Sequence, residues 1–445
     1  MLDTVVFAGR ALIRHRLLIG VAAIILIFAA AFALLAWRRP LDPIAPPQRS
    51  SFSNEAAARG AQLAALGNCA ACHTRADGAP YAGGVRIDTP YGSLYGTNIT
   101  PDPQTGIGGW SLAAFTRAMR DGLARDGRQL YPAFPYDHFR ATSDEDIAAL
   151  YAFLMTGTPV VAQPPHNDLR FPFGWRPLLA LWKLLYLRSG SYEPDAGQTA
   201  EWNRGAYLVQ SLGHCGACHT PRNSLGAEER SRAFEGGEAE GWYAPPINAS
   251  SPSPLPWTAD ELHEYLRTGL TTSHAVAGGP MAEVVAGLNA AADADVRAIA
   301  VYVAAQMGDQ RTPERTARAA ASTQRAAQPL IASPTIDGGD AIVLGASIYA
   351  STCASCHDRG RRAGSAGALP LPVAVAVYDA DPRSLLRIVR EGITPEEGTT
   401  GRWMPAFGTS LTDDQLTALA AYLRRHAANA PPWPDLSQAV AETRK

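Results

Sequence analysis

All six cysteines of the 445-residue chain stand in Cys-x-x-Cys-His frames: Cys69, Cys72 and His73 in "LGNCAACHTR", Cys215, Cys218 and His219 in "GHCGACHTP", and Cys353, Cys356 and His357 in "STCASCHDR". Two thiols at this spacing on a short turn can each add to one vinyl group of a porphyrin while the adjacent imidazole faces the iron. That is the chemistry of c-type haem attachment. Three rival uses fit less well. Zinc needs four converging N or S ligands, and each frame supplies three in a row. A thioredoxin-like dithiol needs no histidine and sits beside a βαβ pattern that the sequence lacks. Structural disulfides give no reason for a histidine after every second cysteine. Three covalent haem c groups are therefore expected, with His73, His219 and His357 each on one side of an iron.

The other axial ligand is sought from a recurring glycine that closes "SLAAFTRAMRDG", "TADELHEYLRTG" and "DPRSLLRIVREG". Twelve residues lead from Gly269 to Met281 in "GGPMAEV", and twelve from Gly392 to Met404 in "GRWMPAF". Core filling is the ordinary role of a methionine, but matched position in two repeats predicts thioether ligands. Thioether opposite imidazole raises a haem's reduction potential. The same count from Gly122 reaches Phe134 in "QLYPAFPYDHF", which cannot ligate iron. Three options stay open there: His138 on the same loop, Met119, or a five-coordinate iron. Met119 aligns with Leu266 and Val389, which favours a core role, and His138 has an alternative as an ordinary loop histidine.

The elements that must position these groups repeat with them. An amphipathic stretch with a glycine precedes each frame ("EAAARGAQLAALGNC", "EWNRGAYLVQSLGHC", "AIVLGASIYASTC"), and a helix with an acidic start closes each repeat from Thr142, Ala291 and Leu411. Helical spacing of the apolar residues, with Thr or Asp as N-cap, predicts an all-α fold. It comprises three tandem cytochrome c-type haem domains, at 51–158, 199–308 and 339–430, plus one N-terminal transmembrane helix. Residues 1–50 are read as anchor and Pro-rich stalk, 159–198 and 309–338 as linkers, and 431–445 as a tail.

Leu17 to Trp37 is 21 residues without a formal charge, long enough to cross a bilayer, and Arg10, Arg14, Arg16, Arg38 and Arg39 flank it. A cleaved signal peptide is the alternative, with "AFA" at 31–33 as a cleavage site. Because haem is attached outside the cytoplasm, the expected location is the inner membrane, single-pass, with the haem domains in the periplasm. "FPFGWRPLLALWKLLYLRSG" (171–190) is too short and too charged to span. It suits a helix lying at the lipid surface, or one docked on protein. In the lipid-facing case it would sit where a quinone could approach a haem.

A formal net charge of -2 gives no field for holding nucleic acid. No G-x-G-x-x-G stands at a strand-to-helix junction and no P-loop is present, so substrate chemistry is expected on another polypeptide.

With these motifs, and with "LYPAFPYDHF", "GHCGACHTPRN", "GWYAPPIN", "GPMAEVV" and "GRWMPAF", the chain after the anchor resembles the membrane-bound tri-haem cytochrome c subunits of bacterial periplasmic dehydrogenases. The resemblance implies electron transfer from a dehydrogenase catalytic subunit (a molybdenum, quinoprotein or flavoprotein enzyme), with a small iron-sulfur subunit as a further partner. Ubiquinone or a terminal oxidase would receive the electrons. The alcohol-dehydrogenase branch has Met where this chain has Phe134, so "AFPYDHF" leans to the branch serving molybdenum-dependent aldehyde or nicotinate dehydrogenases. Two other functions compete: a haem enzyme working at an open first iron, as a peroxidase or reductase would, and a subunit of a respiratory oxidase.

Overall fold

The computed structural model of the chain describes residues 2–188, 190–309, 311–330, 339–358, 368–394 and 403–444, with side chains from residue 15 onward. Helix α1 (Leu2–Ala36) opens it. Its stretch His15–Ala36 is long and apolar enough to cross a membrane, with mean hydropathy 3.0, and only its C-terminal end, at Ala36, is buried by protein. The end of α1 is tied down, because Gln129 donates from Nε2 to the Ala36 carbonyl at 3.1 Å. The Pro-rich stalk follows the first helical unit closely: the Leu41 and Ile44 amides donate to Arg125 and Gly109 carbonyls at 2.8 and 3.0 Å.

One helical unit then recurs three times. The first comprises α2 (Asn54–Leu66), a single turn α3 (Cys69–His73), a hairpin of β1 (Arg86–Thr89) and β2 (Gly92–Tyr95), α4 (Leu112–Asp121), α5 (Tyr136–Phe139) and α6 (Asp144–Thr156). A short β3 (Asp168–Leu169) adds to β2 antiparallel, and α7 (Leu179–Tyr186) follows. The second unit repeats the order with α8 (Ala200–Gln210), α9 (Gly216–His219), a hairpin of β4 (Gly237–Ala239) and β5 (Trp242–Ala244), α10 (Ala259–Thr268), α11 (Pro280–Ala290) and α12 (Asp293–Gln306). After α13 (Pro313–Ala326) come α14 (Asp340–Ile348), α15 (Ala354–His357), α16 (Arg383–Glu391), α17 (Asp413–His426) and α18 (Leu436–Glu442).

The first and last long helices of each unit cross at a glycine. A Cβ on Gly60 would lie 2.0 Å from the Ala149 carbonyl oxygen, one on Gly205 1.9 Å from that of Ala298, and one on Gly345 2.2 Å from that of Ala418. Only a residue without a side chain lets the two backbones meet there. The middle helices end as their sequences predict, on Gly122 and Gly269 in the left-handed region and on Gly392 at φ 74°. The closing helices begin slightly later than expected: Ser143 and Thr412 cap α6 and α17 with their hydroxyls, and Ala292 precedes α12 with no side-chain cap.

The first two units share one core. Leu63, Ile147 and Leu150 of the first are continuous with Leu208, Val296 and Ile299 of the second, whereas the third packs its own around Tyr349, Leu386, Leu419 and Tyr422. Three segments between or beyond the repeats are structured. The linker 309–338 contains α13, which bonds both neighbours: Arg325 donates to the Ala427 carbonyl at 3.2 Å and the Tyr378 hydroxyl at 3.3 Å in the third unit, and Arg315 and Arg318 donate to the Ala249 and Pro252 carbonyls in the second; residues 331–338 lie outside the described residues. The C-terminal tail is part of the third unit, with Val440 fully buried and the Trp433 indole donating to the Asp379 carbonyl at 2.8 Å. Among the described residues of the segment 171–190, a 3-10 turn (Arg176–Leu178) leads into α7, which docks on protein by one face. Trp182 donates to the Leu225 carbonyl at 2.9 Å, while Leu184 and Leu185 stay exposed.

Candidate haem sites

Each Cys-x-x-Cys-His frame winds into one helical turn directly after a long helix. All six cysteines are free thiols. Burial pushes the Cys69 and Cys215 thiols up to about 12.

The three histidines share one arrangement. His73 places Nδ1 2.6 Å from the Thr97 carbonyl, His219 places its own 2.6 Å from that of Pro245, and His357 lies 2.9 Å from that of Leu369. Only a protonated Nδ1 can bond a carbonyl, so the tautomer is set and the Nε2 lone pair is left for a metal. Burial lowers the pKa of all three rings against the raising effect of these carbonyls, which favours neutral imidazole, the form that ligates. In the first two units the hairpin also grips the main chain: Gly83 and Gly236 amides donate to the His73 and His219 carbonyls at 2.7 and 2.9 Å. Free thiols at this spacing beside an imidazole of fixed tautomer fit covalent haem c.

At the candidate thioethers the structure separates positions that a residue count equates. After each middle glycine the chain makes a β-bridge: Leu123 with Gln129, Leu270 with Val276, Ile393 with Met404. Met404 is thus itself a bridge residue, its amide and carbonyl exchanging 2.9 Å bonds with Ile393. Met281 lies five residues beyond its bridge, in the first turn of α11 behind Gly279 and Pro280. Both thioethers are half-buried against their unit's core. The equal spacing of twelve therefore comes from loops of different build.

In the first unit Phe134 occupies the position matching Met281, and its ring packs on Phe139 at 5.3 Å. Met119 is buried in the core, as Leu266 and Val389 are at the same place on their helices. His138, the loop candidate for the first iron, faces the second unit in this structure. Its Nε2 lies 2.6 Å from Glu228 and its Nδ1 3.2 Å from the Gln210 carbonyl, both in the second unit. A buried carboxylate with Arg222 3.8 Å behind it holds the ring across the interface.

Sequence reasoning missed the hairpins, which supply the Thr97 and Pro245 carbonyls. Paired glycines, "GG" at 83–84 and 236–237, mark both and were the available signal. It also missed an ion-pair quartet between the first two units. Arg59 lies 3.3 Å from Asp146 and 3.2 Å from Asp295, and Arg204 lies 2.8 Å from Asp295 and 3.7 Å from Asp146.

Tandem helical units with a haem-attachment turn behind the first helix define the cytochrome c class, and family models agree: that for cytochrome c matches residues 57–158, and that for cytochrome c oxidase, cbb3-type, subunit III matches 340–423. Among individual proteins, a nicotinate dehydrogenase subunit of Pseudomonas putida is 46% identical over 94% of this chain, which spans 34% of that longer protein. The fructose dehydrogenase cytochrome subunit of Gluconobacter japonicus is 38% identical, with 86% of this chain and 82% of that one covered. The gluconate 2-dehydrogenase cytochrome c subunit of Pantoea cypripedii is 36% identical, covering 87% and 89%. The chain belongs to the family of cytochrome c subunits of dehydrogenase complexes.

Proposed function

We propose that this chain carries three haem c groups and passes single electrons from a periplasmic dehydrogenase to ubiquinone or another respiratory acceptor. The observation that carries the reading is the repeated Nδ1-to-carbonyl bond, which makes each of His73, His219 and His357 a neutral ligand of one orientation beside two free thiols. Cys69 and Cys72, Cys215 and Cys218, and Cys353 and Cys356 would hold the porphyrins. Haem iron so held supplies reversible one-electron chemistry. Met281 and Met404 are the proposed second axial ligands of the second and third sites. The first site has no thioether at the matching place.

Helix α1 is the proposed inner-membrane anchor, single-pass, with the three units in the periplasm. Trp175 supports a second contact with lipid, since its ring meets Phe32 of α1 at 5.7 Å and is half exposed, as Leu184 and Leu185 of α7 are also exposed. The proposed partner is a molybdenum-type catalytic subunit with an iron-sulfur protein as the relay to this chain; 46% identity to a protein named as part of a nicotinate dehydrogenase supports an N-heterocycle as its substrate.

The test is the intact mass of the exported chain together with a potentiometric titration of Met281→Leu and Met404→Leu. Three haem increments and the fall of one midpoint in each variant are expected. A colourless chain without added mass ends the proposal, and unchanged midpoints remove the two methionines from it.

A further inference from the structure

The hairpin of β4 and β5 lies between the second and third units and touches both sides of the second site. On one side the carbonyl of Pro245, just beyond β5, accepts the hydrogen bond of His219 Nδ1–H at 2.6 Å. On the other, the Trp242 indole lies against the turn that leads to Met281. A Cβ on Gly278 would come within 3.5 Å of indole Cη2 and Cζ3, and one on Gly279 within 2.2 Å of Cε2. Gly279 has φ 52° and ψ -139°, a conformation only glycine takes freely, and it is the residue before α11. Pro280 follows with its φ fixed by the ring, then Met281. Little slack remains between the indole and the thioether.

The hairpin is fastened from the third unit. Ser384 of α16 donates to the Tyr243 carbonyl at 2.7 Å and accepts from its amide at 3.2 Å. Arg387 donates from Nε to the Gly241 carbonyl at 2.8 Å, and its guanidinium carbon stands 5.9 Å from the centre of the Trp242 ring. Arg383 pairs with Glu238 on the neighbouring strand.

We infer that Trp242 is a positioning residue for Met281, and that Arg387 of the third unit holds it there, so that the third unit sets the potential of the second haem. The inference rests on Met281 being an axial ligand. A thioether–iron bond depends on where the sulfur is held, and groups behind a ligand tune its metal as the ligand does. Trp242 holds the Gly278–Gly279 turn, and through it the start of α11. Loss of the indole frees the two glycines and lets the sulfur withdraw.

The experiment uses the full-length, haem-loaded chain and the variants Met281→Leu, Trp242→Phe, Trp242→Ala and Arg387→Ala. It reads the midpoints by potentiometric titration and the weak charge-transfer absorption of thioether-ligated ferric haem, with haem content fixed by intact mass. Met281→Leu identifies the second haem by the midpoint that falls and the share of absorption lost. Trp242→Ala is expected to lower that same midpoint with partial loss of absorption. Trp242→Phe restores both, and Arg387→Ala lowers that midpoint and leaves the third haem's unmoved. Should Met281→Leu shift a midpoint while Trp242→Ala and Arg387→Ala keep wild-type values, the inference fails and the ligand reading stands. No response to Met281→Leu overturns the ligand reading itself. If Trp242→Ala does not retain haem, Arg387→Ala decides, a wild-type second midpoint counting against.

Discussion

Arg59 and Arg204 occupy the same place in successive units, each just before the glycine of a helix crossing, and they share one pair of carboxylates. Each lies within 4 Å of both Asp146 and Asp295, which also hold equivalent places at the starts of α6 and α12. The arrangement is reciprocal, as a two-fold relation between the units requires. Tyr207 completes it by donating to Asp146 at 2.8 Å. The third unit has Leu344 and Gln415 at the corresponding positions and so cannot enter such a quartet.

Because the arginines are about one-third exposed and the carboxylates mostly covered, each single removal is expected to cost about 1–3 kcal/mol, below the figure for a fully buried pair. Arg59→Ala and Asp295→Asn in a double-mutant cycle should be non-additive, read as thermal stability of the haem-loaded chain. Burial works against charge on Asp295, but Arg204 and Arg59 outweigh it and depress its pKa. A depressed carboxylate contributes stability above its unfolded pKa of about 4 and loses it as pH falls through the folded value. The wild-type chain should therefore lose more stability on acidification below about pH 4 than Asp295→Asn does.

The glycine crossings give a sharper test. Alanine at Gly60, Gly205 or Gly345 puts a methyl group about 2 Å from a carbonyl oxygen of the facing helix, which cannot move without opening the unit. Overpacking of this kind costs about 1–3 kcal/mol even where neighbours can shift, and here backbone must yield. Each Gly→Ala variant should unfold at lower temperature and mature with less haem in its own unit. Equal stability of all three variants to wild type would show that the helices do not meet so closely.

His138 lies on the seam between the first two units. A loop histidine near the expected ligand position reads as a ligand, and here its ring bonds Glu228 and the Gln210 carbonyl across that seam. His138→Ala should leave every haem spectrum unaltered and weaken that seam. Burial lowers the His138 pKa, but Glu228 and Asp137 outweigh it and the net shift is upward. A raised histidine contributes stability below its unfolded pKa of about 6.5 and loses it as pH rises through the folded value. The loss on raising the pH should thus be seen in wild type and be absent in Glu228→Gln. With His138 and Met119 both engaged elsewhere, cyanide or carbon monoxide should bind one haem of the wild-type chain, checked by optical titration. A first site that binds neither ligand would mean that a side chain fills it.

The attachment frames, the helix order and the capping glycines were legible because each is a local signal, carried by a motif or a 3.6-residue period. What was not legible is long-range. The carbonyls at Thr97 and Pro245 reach His73 and His219 through hairpins of only three or four residues per strand, too short for alternation to show. The Arg59–Asp295 pair spans 236 positions. Helix α13 is held by polar contacts that leave no apolar signal in the sequence: Arg325 donates to Ala427 and Tyr378, and Arg315 and Arg318 donate to the Ala249 and Pro252 carbonyls.

Lys183 carries the last prediction, which concerns how the segment beside α1 is held. Its ammonium lies 2.6 Å from the Asp121 carbonyl, 2.7 Å from that of Gly122 and 2.7 Å from Gln129 Oε1, and stands over the Tyr136 ring at 4.7 Å. A cation at the end of α4 satisfies carbonyls that the helix itself leaves open. Gln129 in turn holds the end of α1, so α7, α4 and the apolar helix meet at one side chain. Lys183→Met keeps most of the length and removes the donor, leaving three acceptors unpaired at about 1–3 kcal/mol in total where water can enter. Because α7 is a short surface element, the loss should appear locally, as faster hydrogen exchange over 179–186 with the global melting temperature nearly unchanged. Unchanged exchange there would mean that Trp182 alone fastens α7 and that Lys183 is dispensable.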